Sequence, residues 1–256
     1  MKLANLVEAF WVKLRLTLKS EAAQSYLSYT WWLLEPVLHV LVFYFVFGVM
    51  FDRGGEDFVV FLLCGQIPYL WLSRSVINAS NSIVLGTGLI QQMAIPKPFF
   101  PSLVVAQDCV KQVVVFVCLF GFITLMGYLP GLTWLALPVV LFTQILLILA
   151  IAMVASAITP FLPDFRFVIG TGMLMLMFAS GIFYDYRTIV LDEHRELFLL
   201  NPLARLIDAY RDVLLRGTWP DWMGLLAIVS VCLMTLWMMA WFFRRNDGVY
   251  ARLVIQ

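Results

Sequence analysis

A chain of 256 residues that is 62% hydrophobic and only 13% charged is too poor in charge for water, where domains carry roughly half apolar and a quarter charged residues. A net formal charge of +1 leaves no basic field to hold a nucleic acid. The cysteines, Cys64, Cys109, Cys118 and Cys232, fall in or beside apolar runs without metal-ligand or disulfide spacing. Neither a metal site nor a stapled secreted domain is therefore expected, and the thiols read as small core residues.

Lys2, Glu8, Lys13, Arg15 and Lys19 interrupt the start of the chain, so no cleavable leader is expected there. Instead Leu3, Leu6, Val7, Phe10, Trp11, Leu14 and Leu18 recur at helical spacing opposite lysines and Arg15, which predicts an amphipathic helix lying in the membrane interface within residues 1–30. Six apolar runs follow, each long enough to cross a hydrocarbon core about 30 Å thick. They cover about 31–51, 58–83, 101–127, 134–158, 167–183 and 222–243. The expectation is an all-α integral membrane protein with a single transmembrane domain over 31–256. Between runs five and six lies a polar stretch with two helical patterns, 188–200 and 203–215, divided by Asn201-Pro202. Leu203, Leu206, Ile207, Tyr210 and Leu214 share one face of the second pattern, as a short helix resting on protein would require.

Six runs put both termini on one side. On that side lie Lys2, Lys13, Arg15, Lys19, Lys97, Arg166, Arg244, Arg245 and Arg252, whereas the short segments of the opposite side carry only Arg53. The excess of cations marks the cytoplasmic side, so both termini are expected in the cytoplasm.

The chain has no G-x-x-x-x-G-K-[S/T] loop, G-x-S-x-G elbow or H-E-x-x-H pair, which leaves it without those devices for holding ATP or for hydrolysis. Glu35, Arg74, Asp108 and Lys111 fall inside predicted spans, each on the order of 5 to 15 Å from the cytoplasmic end of its helix. Their charges cancel and their depths agree, so they are expected to form one interior charged layer, acting either as packing glue or as the inner mouth of a pathway. Along the first span Glu35, His39, Phe43, Phe47 and Phe51 recur every four residues. Such a stripe can pack, face lipid, or offer aromatic faces to sugar rings, with Tyr184 and Tyr186 above it.

WWLLEPVLHVLVFYFVFGVMF (31–51) and FLLCGQIPYLWLSRSVINASNSIV (61–84) resemble the first two spans of ABC-2-type permeases that serve exporters of O-antigen, capsular polysaccharide or teichoic acid. LIQQMAIPKPFFPSL (89–103) is similar to the cytoplasmic coupling segment of that family, with Gln91-Gln92 standing where its members usually carry a lysine pair. LPDFRFV (162–168) and LFLLNPLARLIDAYRDVLL (197–215) resemble the loop before the fifth span and the Asn-Pro…Tyr-Arg-Asp signature after it. The resemblance implies a homodimer forming a polymer channel, capped by two short gate helices. It also implies two separate ATPase subunits that bind ATP and Mg, and a lipid-linked glycan as substrate, with periplasmic export proteins as further partners. On this reading Leu89, Gln91, Gln92, Met93, Ala94, Pro96, Lys97 and Pro98 meet the ATPase, while Glu35, His39, Phe43, Phe47, Phe51, Arg74, Tyr184 and Tyr186 line the substrate path. Residues alone leave open an exporter of a small molecule or drug, a membrane enzyme acting on isoprenoid-linked sugars, and a membrane scaffold.

Overall fold

The computed structural model describes residues 3–24, 57–92, 95–189 and 191–253, with isolated positions between 34 and 46. Most of the predicted first span, including Glu35, His39, Phe43, Phe47 and Phe51, lies outside the described residues, as do Met93 and Ala94. Every described element is a helix. This is the economical solution in lipid, where each backbone polar group must find its partner within the segment.

The first helix, α1, runs over Leu3–Gln24. It docks through Phe10, edge-on to Phe99 at 5.6 Å, and through buried Leu14, leaving Val7, Trp11, Val12 and Leu16 uncovered. An apolar strip beside lysines suits a helix lying on a bilayer.

Helix α2 (Phe58–Ser80) breaks at Asn81 into α3 (Ser82–Leu85) and α4 (Thr87–Gln92). Helix α5 spans Phe99–Leu125 and α6 spans Leu137–Ile158, led in by a 3-10 turn over Leu132–Ala136. Gln144 at the middle of α6 is fully buried, as are Val140, Ile148 and Ala152. A helix apolar on every side belongs at the centre of a bundle, and α6 packs on α2, α5 and the last helix. Cys64 and Cys232 are buried in this core, whereas Cys118 is exposed on the outer face of α5, contrary to the expectation that all four thiols are internal.

Helix α7 occupies only Phe165–Ala179, 15 residues, about 22 Å of helix. The predicted fifth span, 167–183, therefore ends early, at Ser180 and at Gly181 with φ +68°, a left-handed conformation that glycine adopts without steric cost. Between the last two long helices the chain forms α8 (Tyr186–Ile189), α9 (Asp192–Phe198) and α10 (Pro202–Arg211), continued by a wider turn over Asp212–Arg216. The last helix, α11, covers Trp222–Leu253, about ten residues beyond the predicted end of span six. Hydropathy stops at Arg244 because it reports lipid contact, and the helix continues because nothing in Arg244-Arg245-Asn246-Asp247 breaks it.

Helices α2, α5, α11 and α6 with its lead-in are each long and apolar enough to cross a membrane, and α7 is a shorter apolar helix. One end of the bundle carries residues 86–92 and 95–98 and the 159–164 turn, and is called here the elbow end. The opposite, loop end carries residues 180–221. There Tyr128 donates a hydrogen bond of 2.7 Å to Asp57 and Thr133 one of 3.3 Å to the Val213 carbonyl.

Candidate functional site

The loop end is built on α10, which sequence places in an outer loop and the structure inserts against α2, α6 and α11. Its face of Leu203, Leu206, Ile207, Tyr210 and the following Leu214 is almost wholly buried. The start of α10 is fixed by Asn201, whose side-chain oxygen accepts from the Leu203 amide at 3.0 Å. Its side-chain nitrogen donates to the Ala179 carbonyl at 3.2 Å and to the Ser180 hydroxyl at 2.9 Å. Pro202 follows at the first helical position, where a missing N–H costs nothing. One asparagine thus caps α10 and ties it to the end of α7.

Three consecutive residues at the other end of α10 each anchor to a different partner. The Tyr210 hydroxyl, fully buried, donates to the Gln144 side-chain oxygen at 2.5 Å, and Gln144 donates in turn to the Pro68 carbonyl at 2.8 Å. That chain joins α10, α6 and α2 through a polar path in an apolar core, where each unmade bond would carry the full desolvation penalty.

Arg211, 2% exposed, donates to the carbonyls of Gly181 and Ile182, both at 2.8 Å, and its guanidinium carbon lies 3.5 Å from the centre of the Phe61 ring. Gly65 leaves room for this group, since a Cβ there would stand 2.9 Å from a guanidinium nitrogen. Burial pushes the Arg211 guanidinium down to about 10, so it remains a cation at neutral pH. Carbonyl dipoles and an aromatic face stabilise the charge in place of water.

Asp212 opens an ionic network. Arg187 donates to Asp208 at 2.9 Å and to Asp212 at 3.1 Å; Arg216 donates to both at 2.7 Å and lies 3.3 Å from Asp185. Tyr186 is buried, stacked on Phe198 at 5.2 Å, and its hydroxyl donates to Asp208 at 2.8 Å. Tyr184 is half-buried and donates to the Phe178 carbonyl at 3.1 Å. Both tyrosines proposed for a substrate path thus have their hydroxyls committed to internal partners. A cavity of about 160 Å³ beside the network is walled by Tyr186, Arg187, Arg205, Asp208, Asp212 and Asp221, whose charged groups largely bond one another.

Burial alone would raise the Asp208 carboxyl, but the hydrogen bonds from Arg216, Arg187 and Tyr186 outweigh it and hold the group below its ordinary value of 3.8. The stabilisation from this depressed acid is complete above 3.8 and is lost as pH falls through the lower folded value. Purified protein is therefore expected to lose thermal stability on acidification below about pH 4, and Asp208→Asn to flatten that loss. Unchanged slopes in the mutant's melting-temperature profile would count against the network.

Inside the bundle, Asp108 on α5 is 4% exposed and pairs with Lys111 at 3.5 Å, with the Asn78 amide of α2 also 3.5 Å away. Of the four residues expected in an interior charged layer, Asp108 and Lys111 pair with each other, Arg74 is half-buried on α2, and Glu35 lies outside the described residues.

At the elbow end Leu89 is half-buried and Gln91 and Gln92 are exposed on α4. Pro96 is exposed, whereas Lys97 is 4% exposed and forms an ion pair of 3.1 Å with Asp247 of α11. Pro98 caps α5, and Pro101 sits in its first turn, where amides lack intrahelical acceptors. Gly86 lies so close to the Phe100 ring that a Cβ would collide with it, which seats the segment tightly on α5. Sequence reasoning missed Asp247 and Tyr250, although Phe243, Asp247 and Tyr250 follow an i, i+4, i+7 pattern that marks one helix face. It also missed Gln144, for which an amide in the middle of an apolar run was the available signal.

The chain is 28% identical over 225 residues to the O-antigen export system permease protein RfbA of Myxococcus xanthus, covering 86% of this chain and 85% of that protein. The protein of the same name from Klebsiella pneumoniae is 23% identical over 202 residues, with 78% of each chain covered. The polysialic acid transport protein KpsM of Escherichia coli is 24% identical over 217 residues, 82% of each chain. The family described as ABC-2 type transporter matches residues 8–215, from within α1 through the Arg211 clamp. The protein with this buried Tyr-Arg-Asp anchor and proline elbow therefore belongs to the ABC-2 type transporter family.

Proposed function

We propose that the chain is the membrane-spanning permease subunit of an ATP-driven polysaccharide exporter. As a homodimer it forms the channel that carries a lipid-linked glycan, of O-antigen or capsule type, from cytoplasm to periplasm across a bacterial inner membrane, with both termini cytoplasmic. The observation that carries this reading is similarity along most of the chain to permeases named for O-antigen export and to a transporter named for polysialic acid. Similar identity to carriers of two different polymers supports glycans as the substrate class.

Because the chain has no phosphate loop, ATP and Mg belong to two separate ATPase subunits, and the 86–99 segment is their contact. Each proline in Ile95-Pro96-Lys97-Pro98 fixes its own φ and restricts the residue before it, so displacement of α4 reaches α5 with little loss, where a flexible linker would absorb it. In proteoliposomes holding both subunits, ATP-dependent movement of an undecaprenyl-linked glycan is the expected activity. Drug efflux without glycan movement would overturn it.

Cysteines at Leu89, Gln92 and Ala94 are expected to crosslink to a groove on the ATPase. Replacing Pro96 and Pro98 together by glycine restores backbone freedom and is expected to cut export per ATP by about tenfold, with the complex still assembled. An unchanged ratio would refute the elbow as the coupling element.

A further inference from the structure

We infer that the cytoplasmic part of α11, beyond Phe243, is a strut that holds the two inner loops as one rigid unit, with Asp247 and Tyr250 as its positioning residues. This inference rests on the proposed role of residues 86–99 as the ATPase contact. Helix α11 has 32 residues, about 48 Å, whereas the hydrocarbon needs about 30 Å. The surplus projects on the side where the ATPase is placed. Phe243, Asp247 and Tyr250 lie along one stripe of that projection, and each is committed to a different part of the elbow end.

Asp247 pairs with Lys97 at 3.1 Å. The side chain of Lys97 is 5% exposed and that of Asp247 59%, so the lysine, already desolvated, depends on the acid far more than the acid depends on the lysine. A groove of about 490 Å³ opens between Pro96, Lys97 and Pro98 on one side and Ala240, Phe243 and Arg244 on the other. The ion pair is therefore a specific tie across that gap, beside the apolar packing of Ile95 and Phe100.

Tyr250 is fully buried. Its hydroxyl donates to the Ala157 carbonyl in the last turn of α6 at 2.7 Å. Its ring meets Phe161 of the 159–164 turn edge-on at 5.2 Å and Phe243 at 5.6 Å. With Ile83, Ile95, Phe100, Met153 and Ala157 these rings form a second apolar cluster, separate from the main core. One helical stripe thus grips the proline elbow through Asp247 and the other inner turn through Tyr250. A push on α4 is consequently shared between α5, α6 and α11, and the elbow cannot yield alone.

The test uses the assembled permease and ATPase in proteoliposomes, reading export per ATP hydrolysed alongside crosslinking of Leu89→Cys and Gln92→Cys to the ATPase. Asp247→Asn and Tyr250→Phe are each expected to lower export per ATP by about fivefold while those crosslinks still form, and Asp247→Glu to restore the ratio. Joining Lys97→Cys to Asp247→Cys by a short bifunctional thiol reagent is expected to raise export per ATP above that of the same variant left unjoined, because a strut keeps its length through the cycle. If the crosslinks form but Asp247→Asn and Tyr250→Phe keep the wild-type ratio, or Asp247→Glu fails to restore it, the strut is wrong and the coupling role of 86–99 stands. If the joined pair forms but does not raise export per ATP, or cannot be joined, the strut is likewise wrong. If Leu89→Cys and Gln92→Cys never reach the ATPase, the coupling reading falls, and the strut falls with it.

Discussion

Arg211→Leu is expected to destabilise the protein by about 2–5 kcal/mol, because two buried carbonyls lose their donor. The guanidinium fills the space that Gly65 leaves on α2 and accounts for the hydrogen bonds of two carbonyls that follow α7. Leucine fits the apolar surroundings but satisfies neither carbonyl, and each orphaned acceptor adds about 1–3 kcal/mol. Arg211→Lys is expected to rescue poorly, since an ammonium lacks the planar fork that reaches two carbonyls while stacked on a ring. Thermal denaturation of the purified protein would measure both variants. A loss below about 1 kcal/mol for leucine, an ordinary value for a single substitution, would show that the clamp carries little of the stability of the loop end.

Asp108→Leu is also expected to cost about 3–5 kcal/mol, because it removes the carboxylate paired with Lys111 while leaving that cation within the bundle. Adding Lys111→Leu should recover a large part of that loss, since replacing both members of a buried pair by apolar groups is close to neutral. The decisive quantity is the coupling between the two changes in a double-mutant cycle. Strict additivity would mean that Asp108 and Lys111 do not depend on one another, and the interior pair would then carry no structural weight.

Hydropathy made the bundle legible because lipid demands uninterrupted apolar runs, and Phe58, Phe99, Leu137 and Trp222 open helices within a few residues of the expected boundaries. Its errors have a common origin. Arg211 reads as a solvated loop cation, yet it is inside, because carbonyl dipoles and the Phe61 ring replace water around it. Tyr186, expected among the aromatics of a substrate path, is stacked on Phe198 with its hydroxyl bonded to Asp208. Residues 244–253 lie beyond the predicted end of span six, yet Tyr250 is as buried as any residue in the core. In each case the deciding partner lies far away in the chain: Gly181 for Arg211, Asp208 for Tyr186, Ala157 for Tyr250. Local pattern records propensity and solvent, and it is blind to partners that only tertiary contact supplies.

The shortness of α7 bears on how the molecule is made. Fifteen residues fall about 8 Å short of the hydrocarbon thickness, and the non-helical backbone that follows is tolerable at that depth only inside protein. Its carbonyls at Gly181 and Ile182 are satisfied by a side chain about thirty residues later. The ribosome must therefore have delivered Arg211 before the end of α7 can settle, so biogenesis of this segment is a late event in which a following piece of chain completes a preceding one.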